Sequence, residues 1–360
     1  MRIAIVAPYW NPPVFRGGIS RVVFELRRVW LAAGHHVAVF SPEARHRPSE
    51  AVYRVPIPGM PMRALWVSFY LAATGKLANY DVVFPQSALF AFFVDRSGCV
   101  PFVHTLSSAE ALGEPWRVWR RLYPALETAA LRKLRRVVTL SEDSVRGLVE
   151  RHRVAPAAIC KISNGVDPER FSPAPAGARS GFTVVAAGRF IPRKRFDLLL
   201  RAFARVQSSF PASKLVLAGE GELGPRLREL AQDLGLGEAA VFPGLLDEEG
   251  MLALYRGADV FALPSDAEGM PMVALEAQAC ALPVVVGPFA SAPEVVRDGV
   301  TGFVVEGGED AWAEALGRLA SDARGRAAMG ASARAHIEKE FGWNRAAEQI
   351  LSCFREATRE

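Results

Sequence analysis

The sequence predicts an α/β protein with two doubly wound, parallel-sheet domains. Short apolar runs alternate with longer amphipathic stretches, which is the pattern of repeated strand–helix units. The alternation comes in two series, separated by a Pro-, Gly-, Ala- and Ser-rich segment at 171–181. The chain has 360 residues, which is long for one domain and comfortable for two. Two such domains would face each other across a cleft, with ligands at the carboxyl ends of the strands.

The first series lies in residues 1–170. After the first strand comes an amphipathic stretch, 18–34, which is predicted to be a helix that ends at Gly34. The predicted strands of this series are 2–7, 36–40, 81–85, 101–105 and 136–140.

The second series follows the linker 171–181 and occupies residues 182–341. Its predicted strands are 182–188, 214–219, 240–244, 259–264 and 283–287.

Composition narrows the class of protein. With 50% hydrophobic and 22% charged residues, the chain is an ordinary globular protein. The N-terminus lacks the apolar segment and cleavage site of a signal peptide, and no stretch approaches about 18 uncharged apolar residues. The four cysteines stand far apart, so we expect reduced structural thiols, a cytoplasmic protein and no zinc site.

Charge is divided unequally between the two halves. Residues 1–180 contain 24 basic and 13 acidic residues, a net of +11, and the remainder contains 19 and 25, a net of −6. This asymmetry predicts that the first domain meets an anionic surface or acceptor, although an arginine-rich composition without a partner would look the same.

In the second series, polar residues follow three predicted strands. Arg189 and Lys194 come after the first, ahead of a helix whose positive end would favour a diphosphate. Glu268 and Glu276 follow a later strand, with Glu276 about two turns inside a helix, and carboxylates can each accept two sugar hydroxyls. Each pair also has an interpretation without a ligand. Arg189 and Lys194 could belong to a solvated basic loop, and the two glutamates could be a helix cap and an exposed surface residue. Further candidates in these loops are Gly219, Glu220, Gly269, Met270 and Pro271.

In the first series, Gly17 and Gly18 precede the first helix and form a candidate anion-binding turn. The chain has neither a Gly-x-Gly-x-x-Gly nor a P-loop pattern, which disfavours dinucleotide and P-loop sites. His104 stands at a strand's carboxyl end, where it is either a site residue or a structural histidine. Ser141 is predicted to be a helix N-cap.

Together these motifs resemble the retaining glycosyltransferases of family 4, which have the GT-B fold. Glu268 and Glu276 match the E-x7-E motif within "PSDAEGMPMVALEAQACALPVVV", and "GRFIPRK" resembles the family's phosphate loop. "LAGEGE", "NGVD" and "GGISRVVFELRRVWLAAGHHV" match as well, and the resemblance extends over essentially the whole chain.

The resemblance implies a role for each residue. Arg189 and Lys194 would bind the donor diphosphate, Glu276 the ribose, and Glu268 with the backbone of 269–271 the transferred sugar. His104 would sit beside the anomeric centre, and the loop containing Gly17 and Gly18 would close over the donor phosphates and the acceptor. Residues 342–360 look like the C-terminal helix that crosses back to the first domain.

Two residues depart from the family pattern. Pro271 stands where glycine is usual and cannot donate an N–H, so one sugar contact is in doubt. Ala281 also replaces a usual glycine. The chain contains no Asp-x-Asp, so no metal and no cofactor is implied, only a nucleotide diphosphate sugar as donor substrate.

The implied function is retaining transfer of a hexose-type sugar from a UDP- or GDP-linked donor to a hydroxyl of a cell-envelope glycolipid, lipid-linked glycan or polysaccharide precursor. A nucleotide-sugar 2-epimerase of the same fold and a non-catalytic nucleotide-sugar-binding protein stay open as alternatives. Nucleic acid is disfavoured, because the basic residues belong to a Rossmann-like pattern.

The segment 114–136 interleaves basic and aromatic residues, which suits an anionic membrane surface at the inner face of the membrane. A solvated helix with its aromatic residues in the core fits equally well. The segment 62–77 is a second, more apolar candidate. The basic residues concerned are Arg117, Arg120, Arg121, Arg132, Lys133, Arg135 and Arg136, with Trp116, Trp119 and Tyr123 between them.

Overall fold

The computed structural model describes residues 1–10, 12, 18–45, 47–57, 63–94, 98–104, 117–174 and 181–359, and for residues 117–121 the backbone only. The chain divides into two compact units. The first comprises Met1–Gly165 together with Trp343–Glu360, and the second comprises Val166–Gly342. The chain thus changes unit at Gly165, ahead of the segment 171–181 that its composition marks as a linker.

The first unit alternates strands and helices. Its strands are β1 (Arg2–Val6), β2 (His36–Ser41), β3 (Val52–Arg54), β4 (Val82–Pro85), β5 (Phe102–Val103), β6 (Val137–Thr139) and β7 (Ile159–Lys161). Its first four helices are α1 (Gly18–Ala32), α2 (Arg63–Ala73), α3 (Arg117–Leu131) and α4 (Glu142–Glu150). Ser141 caps α4 by accepting from the Ser144 backbone N–H, as predicted.

The strands of the first unit form a four-stranded sheet in the order β3-β2-β1-β4 and a three-stranded sheet in the order β5-β6-β7. The strand pairs β1–β2, β1–β4, β2–β3, β5–β6 and β6–β7 are parallel. Ile3, Ala4 and Ile5 are completely buried, which explains the continuous apolar run of β1. The three-residue strands β3 and β7 were not predicted, because each carries too few apolar residues to form a run.

The helix α12 (Trp343–Arg359) follows the second unit in the sequence but belongs to the first unit. Trp30 of α1 is buried against it and donates from Nε1 to the Ala347 carbonyl at 3.2 Å. Gly165 lies where the chain leaves this unit, and a Cβ there would come within 2.7 Å of the Trp343 backbone.

The cysteine prediction is wrong for one pair. Cys160 of β7 and Cys353 of α12 form a disulfide, whereas Cys99 and Cys280 are free and buried. The two bonded residues are 193 positions apart, and only the return of α12 onto the first unit brings their Cα atoms to 6.6 Å. Disulfides are rare in reducing compartments. The bond between Cys160 and Cys353 therefore removes the argument that the cysteines indicate a cytoplasmic protein.

The second unit contains the strands β8 (Thr183–Ala187), β9 (Lys214–Ala218), β10 (Ala240–Gly244), β11 (Val260–Leu263), β12 (Val284–Val286) and β13 (Gly302–Val304). Its helices are α5 (Phe196–Ser209), α6 (Gly224–Asp233), α7 (Glu248–Arg256), α8 (Met272–Ala279), α9 (Ala292–Val295), α10 (Glu309–Ser321) and α11 (Ala323–Glu340).

The sheet of the second unit has the order β10-β9-β8-β11-β12-β13. Its strands are parallel, so all their carboxyl ends lie at one edge. The order reverses between β8 and β11, where parallel sheets of this type leave a crevice for ligands. Apolar residues of β8, β9 and β11 pack with those of α5 and α10 into one core, so the edge loops start from rigid strands.

Within the described part of the chain, none of the helices combines the length and the apolar character that crossing a bilayer requires.

Candidate functional site

The loop after β8 places Lys194 over the backbone at the strand's carboxyl end. Gly188 has φ +155, and a Cβ on it would lie 3.2 Å from Cε of Lys194. A short 3-10 helix, Pro192–Lys194, turns the chain so that the lysine side chain runs back across Gly188. Lys194 is buried, whereas Arg189 in the same loop is exposed.

The loop after β11 brings Glu268 to this lysine. Lys194 Nζ donates to Glu268 Oε1 at 2.6 Å, and Arg193 Nη1 lies 3.6 Å from Oε2. The side chains of Lys194 and Glu268 are only 11% and 10% exposed, so each charge is neutralised mainly by the other. The sequence predicts that Lys194 binds the donor diphosphate and Glu268 the transferred sugar. In the structure the two side chains form one ion pair.

Backbone contacts hold the two loops together. The Asp266 N–H donates to the Arg193 carbonyl at 3.0 Å, and the Arg193 guanidinium donates to the Ala267 carbonyl. Ser291 Oγ donates to the Glu268 carbonyl at 3.1 Å. These bonds fix the backbone on both sides of Glu268, so its carboxylate is presented by a constrained loop.

Glu276 lies on α8, behind the ion-paired loop. It is the fifth residue of the helix, a little more than one turn inside, rather than the predicted two turns, because 268–271 are not yet helical. Its Oε2 accepts from Tyr255 Oη at 2.9 Å, and both residues are buried. Burial raises the pKa of Tyr255 well above its usual value, and the adjacent Glu276 raises it further, so the phenol remains a proton donor.

Met270 and Pro271 are buried between the two glutamates, next to Gly269, and Pro271 is the residue that precedes α8. With no N–H of its own, Pro271 leaves backbone donation at the helix start to its neighbours.

The loop after β9 approaches the loop after β8 through glycine. Gly219 has φ +137, and a Cβ on it would be 2.0 Å from the Gly188 carbonyl oxygen. The Phe190 N–H donates to the Glu220 carbonyl at 2.8 Å. The Glu220 side chain is exposed, with Oε1 3.6 Å from the place of a Cβ on Gly244. Gly219 is therefore required for close packing of the site's two loops.

In the first unit, His104 follows β5 and is buried. Its Nε2 lies 2.9 Å from Gln86 Oε1, and its ring stacks on Phe102 with the centroids 4.0 Å apart. Burial lowers the pKa of His104 to about 3, so the ring is neutral. Gly18 is the exposed first residue of α1, and Gly17 lies outside the described residues.

Several contact residues were missed by the sequence analysis. Tyr255 and Ser291 reach the site from α7 and from the turn before α9, and no motif links them to the glutamates. Gln86 could have been found, because it directly follows the predicted strand 81–85.

Solved structures share this architecture. Sucrose-phosphate synthase from Thermosynechococcus elongatus superimposes with a TM-score of 0.81 at 21% identity, covering 99% of this chain and 98% of the other. Anabaena HepE in complex with UDP and glucose gives 0.79 at 20% identity, covering 99% and 100%. These likenesses confirm the predicted GT-B fold.

Two family models cover the two halves of the sequence. The model described as "Glycosyltransferase Family 4" matches residues 16–170, and the model described as "Glycosyl transferases group 1" matches residues 171–336. The chain belongs to the GT-B glycosyltransferases. The residues matched by the "Glycosyl transferases group 1" model include the Lys194–Glu268 ion pair, Glu276 and the glycine loops of this GT-B glycosyltransferase.

Curated relatives are similar over part of their length. A GDP-mannose-dependent monoacylated alpha-(1-6)-phosphatidylinositol monomannoside mannosyltransferase of Corynebacterium glutamicum is 36% identical over 217 residues, 55% of this chain and 56% of the relative. A D-inositol 3-phosphate glycosyltransferase of Saccharomonospora viridis is 35% identical over 288 residues, 73% of this chain and 66% of the relative. The alignments thus span between about half and two thirds of these relatives.

Proposed function

We propose that this GT-B glycosyltransferase transfers a hexose-type sugar from a UDP- or GDP-linked donor to a hydroxyl acceptor. The observation that carries the proposal is the Lys194–Glu268 pair, which joins the loops after β8 and β11 where the strand order reverses. Glu276, with Tyr255 hydrogen-bonded to one of its oxygens, supplies a second, buried carboxylate, about one turn inside α8. The names of GDP-mannose-dependent relatives and a UDP-bound structural neighbour support this class of donor.

In this proposal, the second unit binds the donor. Glu276 accepts hydroxyls of the ribose, while Lys194 and Arg189 compensate the diphosphate together with the N-terminus of α5. Glu268 and the backbone of Gly269, Met270 and Pro271 bind the transferred sugar. Gly219 and Glu220 border the same edge, and the loop containing Gly17 and Gly18 contacts the phosphates and the acceptor.

The proposed reaction retains the configuration of the sugar. The bond from the anomeric carbon to the diphosphate oxygen breaks, and the acceptor oxygen bonds to the same face of that carbon. The acceptor's proton passes to the departing phosphate oxygen. Lys194 and Arg189 stabilise the charge that develops on the phosphate, which is where preorganised cations act most strongly. No metal or other cofactor takes part in this proposal.

Binding tests the donor assignment. A thermal-shift panel of UDP, GDP, ADP, TDP and CDP, with and without EDTA, should give one EDTA-insensitive responder that Glu276→Ala abolishes. A nucleotide at 100 times its Kd stabilises by about 2.7 kcal/mol, which is readily visible. Glu314→Ala, an exposed glutamate on α10, is the matched control and should respond as the wild type does. No response to any nucleotide would contradict the proposal.

Product analysis tests the chemistry. With the responding nucleotide's sugar as donor, we expect transfer to a lipid-linked or glycoside acceptor, with the donor's anomeric configuration preserved in the product. Lys194→Ala should mainly lower kcat, since it removes a group that stabilises the leaving phosphate. Conversion of the donor without any acceptor would instead indicate an epimerase, and binding without turnover would indicate a non-catalytic protein.

We infer further that the acceptor is reached at an anionic membrane surface. Trp66 and Phe69 of α2 and Phe93 form an aromatic patch, with side chains 36%, 47% and 44% exposed. The ring centroids of Phe69 and Phe93 are 5.7 Å apart, and Lys133 Nζ lies 5.2 Å from the ring centroid of Phe92, the preceding residue. Phe69 of the segment 62–77 and Lys133 of the segment 114–136 thus both contact the adjacent residues Phe92 and Phe93.

Charge on this surface supports a lipid partner. Arg63 lies at one end of α2 and Lys76 beyond the other, while Arg132 and Lys133 are exposed after α3. Exposed aromatic side chains flanked by cations suit the interface of an anionic bilayer. Two relatives are named for phosphatidylinositol monomannoside acceptors, which are themselves lipids.

Vesicle co-sedimentation tests the surface. Binding should require phosphatidylserine in the phosphatidylcholine vesicles and should fall in Trp66→Ser/Phe69→Ser and in Arg132→Glu/Lys133→Glu. Leu245→Ser, which removes an apolar side chain 71% exposed on the second unit, is the control and should bind normally. Equal binding by all four proteins would exclude this surface.

A further inference from the structure

Two buried polar residues of the first unit form a pair that the proposed reaction does not yet use. Gln86 follows β4 directly and His104 follows β5 directly, and they are 2% and 8% exposed. Gln86 Oε1 lies 2.9 Å from His104 Nε2. The Gln86 backbone N–H donates to the Val6 carbonyl at 2.9 Å, so the glutamine is anchored to the central strand β1.

The orientation of the Gln86 amide is determined by a second hydrogen bond. Its Nε2 donates to the Phe84 carbonyl at 3.3 Å, which directs Oε1 toward the imidazole. A carbonyl oxygen only accepts, so His104 Nε2 must carry the proton. The ring is neutral in this buried position, and its remaining nitrogen, Nδ1, therefore has the free electron pair.

Stacking restricts the ring further. The planes of His104 and Phe102 are inclined by only 25° at a centroid distance of 4.0 Å. The stacked phenyl ring holds the imidazole plane, and the Gln86 bond selects which edge faces inward. With only the stacking on Phe102 or only the hydrogen bond to Gln86, the imidazole ring could still turn to another orientation.

We propose that Gln86 is a positioning residue for His104, which keeps the ring in the Nε2–H tautomer and leaves Nδ1 as a hydrogen-bond acceptor. His104 then accepts a hydrogen bond from a sugar hydroxyl and takes no part in proton transfer. This consequence rests on the proposed glycosyl transfer, whereas the tautomer and its dependence on Gln86 do not.

Nuclear magnetic resonance of histidine-labelled protein tests the tautomer directly. The wild type should show a ring N–H of His104 that correlates with both Hδ2 and Hε1, as a proton on Nε2 does, and His104→Asn identifies that signal. Gln86→Leu should shift or broaden it, because the acceptor is gone. Gln86→Glu replaces the amide oxygen by a carboxylate oxygen, which also accepts a hydrogen bond, and should preserve the signal. Ser87→Ala, at the next residue, is the control, and the other five histidines report on folding.

Kinetics tests the consequence. Gln86→Leu should lower kcat about tenfold, the worth of one lost hydrogen bond, while the Kd of the nucleotide diphosphate stays unchanged. Gln86→Glu should recover most of the rate. A wild-type proton on Nδ1, or an Nε2–H signal that Gln86→Leu leaves intact, would overturn the tautomer assignment. An altered signal with unchanged kcat would overturn the positioning role, and an inactive wild type with the expected signal would refute only the glycosyl transfer.

Discussion

The Lys194–Glu268 pair shows how two residues can each depend on the other. Either charge alone at about one-tenth exposure would be costly to bury, and the 2.6 Å contact offsets that cost. Lysine has three ammonium protons, so Lys194 can keep Glu268 and still donate to a phosphate oxygen. Binding of a donor therefore does not require the pair to break.

A double-mutant cycle measures this dependence. Lys194→Met and Glu268→Gln should each lower the free energy of unfolding, and the double variant should lose less than the sum. The expected coupling is about 1–3 kcal/mol, since each single change removes the nearest opposite charge of the partner. The same cycle on Arg205 and Glu309, which are 3.4 Å apart and about half exposed, should give at most about 0.5 kcal/mol. Equal couplings would show that burial does not strengthen the site pair.

Tyr255 acts on Glu276 in the same way, through a single buried hydrogen bond. Tyr255→Phe removes one hydroxyl and keeps the ring, so a carboxylate oxygen loses its partner at 2.9 Å. We expect a loss of about 2 kcal/mol in the free energy of unfolding and a weaker nucleotide Kd. Tyr70→Phe, whose hydroxyl accepts from Lys76 at the surface, should change either quantity little. Wild-type stability in Tyr255→Phe would contradict this account.

At the scale of elements, the site is made by loops that approach each other closely at the carboxyl edge of one sheet. The strands β8 and β9 pair in register from Thr183 with Lys214 to Ala187 with Ala218, so Gly188 and Gly219 are brought side by side. Their contact leaves no room for a Cβ on Gly219, a Cβ on Gly188 would lie 3.2 Å from Cε of Lys194, and both glycines have positive φ. The position of Lys194 therefore depends on two glycines in different elements.

Gly219→Ala should disturb both stability and the site. The Cβ would lie 2.0 Å from the Gly188 carbonyl oxygen, and φ +137 is unfavourable for alanine. We expect a loss of about 2–4 kcal/mol and weaker nucleotide binding, measured by denaturant unfolding and thermal shift. Gly317→Ala is the matched control, because that glycine is inside α10 with open space around it. It should stabilise by up to about 1 kcal/mol. If the two substitutions had the same sign, the packing argument would fail.

Across the whole molecule, buried neutral histidines couple stability to acid. Burial lowers the pKa of His104 to about 3, and the pKa values of His152 and His336 are lowered by the same cause. In the unfolded chain histidine takes up its proton near pH 6.5, while folded His104 does not until about pH 3. Stability is therefore complete above about pH 6.5 and declines as the pH falls, by up to about 1.4 kcal/mol per unit from His104.

His104→Gln should reduce this acid sensitivity. Between about pH 6.5 and 4.5, its thermal midpoint should fall less steeply than that of the wild type, although glutamine lowers the midpoint itself at neutral pH. Leu245→Ser, a substitution at an exposed apolar residue, serves as control and should keep the wild-type slope. Parallel slopes for all three proteins would show that His104 is protonated in the folded state.

The sequence by itself determined which segments become strands and where polar residues follow them. Ten predicted strands are present within two residues of their predicted ends, because buried parallel strands read as short apolar runs. The same runs indicated Lys194, Glu268 and His104, since a residue after a parallel strand lies at the binding edge. The short strands β3, β7 and β13 carry too few apolar residues to be found in this way.

Only the tertiary structure decided which of these residues are partners. The pairing of Lys194 with Glu268, of Tyr255 with Glu276, of Gln86 with His104 and of Cys160 with Cys353 joins residues between 18 and 193 positions apart. Such distances in sequence leave no periodic signal, because the pairs arise from strand order and from the return of α12. Periodicity reports the local environment of a segment, whereas a partner is chosen by the packing of segments that are remote in sequence.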